Sequence, residues 1–184
     1  MTKAPFIRQT GLPFLIALMF ALTSTYAYAL ELKSPKFNDG DRIPVQYSGK
    51  GENISPPLFW NDVPDGTESL ALIMDDPRAP TGTWVHWVIY DIPATARSLA
   101  ENIPRESRLE DGTLQGINSF RWIGYSGPFP PAGPAHRYIF RLYALDTTLN
   151  LPADANKGQV INAMQGHVLA EANLAGIFST GEDR

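Results

Sequence analysis

The chain contains no cysteine, and that absence removes several readings at once. There are no disulfides to staple loops, no thiol nucleophile and no thiolate metal ligand. A lipid anchor on an N-terminal cysteine is excluded with them. Histidine is almost as scarce. His86, His136 and His167 are widely spaced and lack ligand-type intervals, so no metal centre is expected. No Gly-x-Ser-x-Gly elbow, twin-arginine pair, internal repeat or low-complexity linker occurs.

Positive charge is also in short supply, and part of it sits in a segment read as a secretory signal peptide. Lys3 and Arg8 provide the basic start, and Leu12 to Leu22 is an apolar run interrupted by Pro13. Ala27-Tyr28-Ala29 then gives a small-x-small cleavage site. The run is shorter than the roughly 20 residues that a bilayer span needs. Cleavage after Ala29 leaves residues 30–184, one domain with a single substantial core. Without Lys3 and Arg8, 13 basic residues face 19 acidic ones, a net charge of −6. That sign argues against nucleic acid and against anionic lipid surfaces, which attract basic faces. An exported, cysteine-free domain with this signal suits a bacterial periplasm, with no stable membrane insertion.

Turn formers are what the chain has in quantity, with 16 prolines and 15 glycines. Asn38-Asp39-Gly40, Pro64-Asp65-Gly66 and Glu110-Asp111-Gly112 are turn signals, because Asp and Asn bond nearby backbone and Gly accepts positive φ. Between the turns, Ile43 to Ser48 reads as a short strand. Ser69 to Met74 reads as a central strand buried on both faces. Trp84 to Ile92 and Arg137 to Leu145 are richest in aromatic and β-branched residues, while 93–120 reads as irregular connection. Val160, Ile161, Met164, Val168, Leu169 and Ala172 lie on one stripe at helical spacing, with Asn156 and Gln159 placed as a capping box. Leu174 to Phe178 would return as a last short strand. The expected class is all-β with peripheral helices, built as a sandwich.

Two segments carry chemistry. Asp75-Asp76-Pro77-Arg78-Ala79-Pro80 is followed closely by His86-Trp87. Gly127-Pro128-Phe129-Pro130-Pro131 leads into His136-Arg137-Tyr138. Residues two apart on a strand share a face, so His136 joins Tyr138, and Trp84, His86 and Val88 join one another. Asp76 beside an imidazole would orient the ring and favour its cation. With a phenol and turn N–H groups added, the cluster suits one small anion. Gly127 and Gly133 would let backbone approach it, and Trp84, Trp87, Trp122 and Phe129 could form an apolar rim. His167 is expected to make a structural hydrogen bond.

At these residues the chain resembles the phosphatidylethanolamine-binding protein family, also called the Raf kinase inhibitor protein family, and its small bacterial members in particular. Asp76-Pro77-Arg78-Ala79-Pro80 matches Asp-Pro-x-Ala-Pro, and Gly82 to Trp87 matches Gly-x-x-x-His-Trp. Gly127 to Tyr138 matches Gly-x-Pro-Pro-x-Gly…His-Arg-Tyr with one spacing change around Phe129. Asn53 to Leu58 and Gly166 to Ala170 extend the similarity over the mature chain. The resemblance implies a Greek-key β-sandwich of antiparallel sheets. It also implies a pocket for phosphate, acetate or phosphorylated headgroups at Asp76, His86, His136, Tyr138, Gly127 and Pro128. It places Ala79-Pro80 where the family has a cis bond, and it allows a homodimer. Arg78 departs from a commonly acidic position and makes the mouth more positive. Kinase inhibition is not carried over, because the large members' C-terminal helical extension has no counterpart here.

The leading expectation is an exported binding or regulatory protein for a phosphate-like ligand, without cofactor and without turnover. The alternatives are a hydrolase using the Asp/His pair on a phosphate or carboxylic ester, and a dimeric interaction protein with a vestigial pocket.

Overall fold

The computed structural model describes residues 29–181. The signal-peptide reading falls on 1–29 and so lies almost wholly outside the described residues. Among the described residues no helix is long and apolar enough to cross a membrane.

Two antiparallel sheets make the sandwich. The smaller is ordered β1 (Glu31–Lys33), β2 (Leu58–Asn61) and β5 (Ser98–Leu99). The larger is ordered β6 (Leu114–Gln115), β4 (Trp84–Pro93), β3 (Ser69–Asp76), β7 (His136–Leu145) and β8 (Val168–Phe178). The chain passes from β4 to β7 through a long connection that crosses to the other sheet, the Greek-key element of the fold.

Strand β3 is central, and all eight of its residues are buried. Leu70, Leu72 and Met74 face the smaller sheet, where they meet Leu32, Leu58 and Trp60, together with Trp87, Phe140 and Leu142 of the same sheet. Ala71 and Ile73 face the other way, into a second cluster closed by Val160 and Met164. This explains the continuous apolar run, since a strand covered on both faces has no polar side to alternate with.

The covering helix α1 (Lys157–Ala163) has the expected capping box. Asn156 accepts from the Gln159 N–H, and Gln159 reaches back to the Asn156 N–H. It is much shorter than its apolar stripe predicts. Gly166 adopts φ 82°, the chain turns, and Val168, Leu169 and Ala172 belong to β8, an eleven-residue strand rather than a short return. The Ile43–Ser48 segment differs as well. Pro44 has no N–H to pair, and Val45–Tyr47 coils into a 3-10 turn after Ile43 donates to the Ile177 carbonyl at 2.9 Å.

Candidate functional site

Three segments meet at one end of the larger sheet. Asp76 closes β3, His86 lies near the start of β4, and His136 and Tyr138 open β7. Since β4 and β7 flank β3, their ends converge beside Asp76. All four side chains line a single hollow of about 170 Å³, with Thr81, Trp84, Phe120, Phe129 and the 130–131 prolines completing its wall.

A β-bulge aims His86. Met74 pairs with Trp87 while the next residue, Asp75, pairs with Val85, so His86 is the extra residue on β4. The alternation therefore reverses at this point. His86 and Trp87 both face the inter-sheet side, while Val85 and Val88 face α1. The strict period of two placed Val88 with His86, and the bulge separates them.

Each polar side chain is held by a specific partner. Asp76 is 2% exposed. Its Oδ2 accepts from His136 Nδ1 at 2.5 Å, and its Oδ1 accepts from the Arg78 backbone N–H at 2.9 Å. His86 Nδ1 donates to the Ser126 carbonyl at 2.6 Å. Its ring meets Tyr138 edge-on at 5.1 Å and Phe120 at 5.6 Å. The only buried, unpartnered side-chain polar atom among the described residues is Thr113 Oγ1. The hydrogen bonds of the two rings run through Nδ1, none among the described residues is made by the Tyr138 hydroxyl, and His86, His136 and Tyr138 all line the hollow.

Burial pushes the Tyr138 phenol well above its ordinary range, with Asp76 adding to the effect, so the group remains a donor. Burial also lowers the His86 pKa, against the opposing pull of the Ser126 carbonyl and Asp76. The folded state therefore binds fewer protons at His86 than the unfolded chain, whose imidazole titrates near about 6.5. This contribution to stability is complete above that value and disappears as pH falls below it. Thermal unfolding followed by circular dichroism should give a lower Tm at pH 5 than at pH 7.5. The difference should shrink in His86→Asn, which has nothing to titrate.

The expected apolar collar is partly realised. Trp84 and Phe129 line the hollow, and Phe129 is 59% exposed. Trp87 instead lies in the core, with its Nε1–H donating to Gln115 Oε1 at 2.8 Å. Trp122 stacks on the outer face of Phe120 at 5.4 Å. Gly127 and Pro128 brace the site from behind. The Gly127 N–H donates to Asn53 Oδ1 at 2.7 Å, and the Pro128 carbonyl accepts from Gly49 at 2.9 Å. Gly133 has open space around it. His167 bonds Asp146 at 2.8 Å in the turn before β8, far from this cluster in role. Arg78 is exposed beside a shallow second hollow that shares His136 with the first. The described peptide bonds are all trans, Ala79–Pro80 included. The turn there closes through the Gly82 N–H to the Ala79 carbonyl at 2.9 Å, with Gly82 at φ 97°.

Sequence spacing gave no sign of Phe120, Thr81 or the Ser126 carbonyl. A backbone carbonyl has no residue signature, and Phe120 arrives from the irregular connection. Among the described residues no group of three or more metal-ligating side chains converges.

Comparison with known proteins identifies the family and the fold. The family profile described as phosphatidylethanolamine-binding protein matches residues 33–179. The UPF0098 protein of Methanothermobacter thermautotrophicus is 54% identical over 152 residues, 83% of this chain and 100% of that one. The UPF0098 protein of Aquifex aeolicus is 45% identical, over 86% of this chain and 94% of its own. Among solved structures, a phosphatidylethanolamine-binding protein homolog from Chlamydia trachomatis superposes with a TM-score of 0.76 at 39% identity, covering 83% of this chain and 99% of its own. E. coli YbcL, described as a member of the mammalian family, superposes at 0.78 with 29% identity, covering 84% and 100%. With a matching profile over most of its length and relatives this similar, the chain belongs to the phosphatidylethanolamine-binding protein family.

Proposed function

We propose that this protein is an exported binding protein whose hollow receives a small oxyanion, phosphate or a phosphorylated headgroup, without turnover. The observation that supports it best is the convergence of Asp76, His86, His136 and Tyr138 on one small, solvent-reachable space. Tyr138 offers an O–H. His136, held through Nδ1 by Asp76, offers an Nε2–H when its ring is charged, and Asp76 balances that charge. A volume of about 170 Å³ is below the roughly 300 Å³ at which drug-sized pockets begin, so a headgroup fits and a whole lipid does not.

Isothermal titration with sodium phosphate and with phosphoethanolamine tests the reading. Heat of binding is expected with the wild type. His136→Ala should weaken binding about tenfold or more, the usual consequence of losing a hydrogen bond to a charged group. Absence of heat with both ligands would remove the reading.

The Asp76–His136 pair gives hydrolysis its one specific support, since a carboxylate-oriented imidazole is a general-base arrangement. The lining supplies Thr81 as its only aliphatic hydroxyl, so binding accounts for the site with fewer parts. Turnover of p-nitrophenyl phosphate that vanishes in Asp76→Asn would replace binding with hydrolysis.

A further inference from the structure

Resting on the anion-binding reading, we propose that His86 serves this hollow as a hydrogen-bond acceptor. The hollow would then select oxyanions that keep an O–H, namely hydrogen phosphate and monoanionic phosphate monoesters, over fully ionised sulfate.

The argument starts from a carbonyl. The Ser126 oxygen lies 2.6 Å from His86 Nδ1, and a carbonyl can only accept. The ring hydrogen is therefore on Nδ1. A neutral imidazole has one N–H, so Nε2 keeps its lone pair, on a ring that lines the hollow.

The surroundings decide whether that ring is neutral. From β3 it faces Asp76, with Asp75 acting from the far side of the same strand. From β7 come His136 and Tyr138, and from the long connection come Phe120 and the Ser126 and Gly127 carbonyls. The carboxylates and carbonyls favour a cation. Burial opposes it and is the larger influence, since the side chain is 3% exposed between two aromatic rings.

Tyr138 and His86 then make opposite demands on a ligand. The phenol donates, and Nε2 accepts. An oxygen that accepts from Tyr138 satisfies the first demand, and a second oxygen carrying hydrogen satisfies the second. Inorganic phosphate at neutral pH always has at least one O–H, and phosphate monoesters gain theirs below about pH 6. Sulfate has none to offer. Its oxygen would meet the Nε2 lone pair with no hydrogen between them, leaving an unpaired acceptor in a nearly buried place. Sites built to bond a particular hydrogen reject analogues that lack it for this reason.

Titration calorimetry at pH 7.0, with sodium phosphate and sodium sulfate at matched ionic strength, tests the selection. Phosphate should bind about tenfold tighter or more. His86→Asn keeps an N–H for Ser126 and removes Nε2. In that variant the two anions should bind within about threefold of each other, by loss of phosphate affinity. Wild-type sulfate affinity within about threefold of phosphate overturns the inference, as does unchanged discrimination in the variant. A second measurement needs no variant. Sulfate binding at pH 5.5 should be tighter than at pH 7.0, with one proton taken up, read from heats in buffers of different ionisation enthalpy. Sulfate binding with no pH dependence overturns the inference and leaves the anion site standing. Absence of heat with both anions removes the inference and the anion site together.

Discussion

Gly127→Ala should destabilise the protein by about 3 kcal/mol, the upper end of ordinary overpacking, and lower Tm by roughly 10 °C. The reason is a backbone crossing. A Cβ at this position would overlap the Tyr47 carbonyl oxygen and would lie 2.8 Å from Ser48 Cα and 2.9 Å from the Tyr47 carbonyl carbon. These are backbone atoms, and no rotamer change relieves them. The Tyr47 carbonyl cannot yield easily, because the Tyr125 hydroxyl donates to it at 2.6 Å from two residues before the glycine. Gly127 also donates to Asn53, and Pro128 accepts from Gly49, so the 125–128 loop is fastened on both sides of the crossing. The same loop supplies the Ser126 carbonyl that fixes the His86 ring. A displaced loop therefore reaches the hollow as well, and phosphate affinity should fall with stability. Urea unfolding and phosphate titration on the same preparation check both effects. Wild-type stability in the variant would show that the crossing has slack.

The same glycine shows how far the sequence could be read. Its place just before Pro128, in a proline-rich segment, marks a constrained turn, and the constraint is real. The neighbour it approaches is the Tyr47–Ser48 backbone, a packing relation between distant segments that has no sequence signature. Strand β3, covered on both faces, is visible as an unbroken apolar run, and β4 and β7 are visible through their aromatic and β-branched content. The site residues are legible for a related reason. Proline-braced turns sit next to histidines, and short motifs repeat a known family pattern.

Misreadings occur where local pattern and tertiary pairing disagree. Val168 and Leu169 extend a helical stripe, but they are 45% and 42% exposed on edge strand β8, whose register is set by pairing with β7. An apolar run of that length fits either period, and Gly166 decides between them through its φ. The bulge at His86 is invisible to a period-two argument, because the extra residue is defined only by the partner strand. Without it, His86 would turn toward α1 and away from the hollow.

Asp75 and Asp76 are chemically identical neighbours, and their alanine variants should fail in opposite ways. The two side chains leave β3 on opposite faces. Asp75 is 1% exposed, accepts from Arg141 at 2.7 Å and is paired with Lys157 at the start of α1. Asp75→Ala leaves two cations facing an empty place against the sheet. Because Arg141 and Lys157 are partly exposed, each can turn toward water, which limits the loss to about 2–3 kcal/mol. Phosphate affinity should change little, since the hollow lies on the other face. Asp76→Ala releases His136 from its 2.5 Å anchor and leaves its Nδ1 without that partner. It also frees the Arg78 N–H that shapes the turn. Both contacts that order the ligand side of the hollow are lost together, and phosphate affinity should fall about a hundredfold, the size of two charge-assisted hydrogen bonds. Urea midpoints and phosphate titrations for both variants separate the two roles. Equal losses of affinity in the two variants would mean that the hollow depends on sheet integrity alone, and that Asp76 has no particular part in holding an anion.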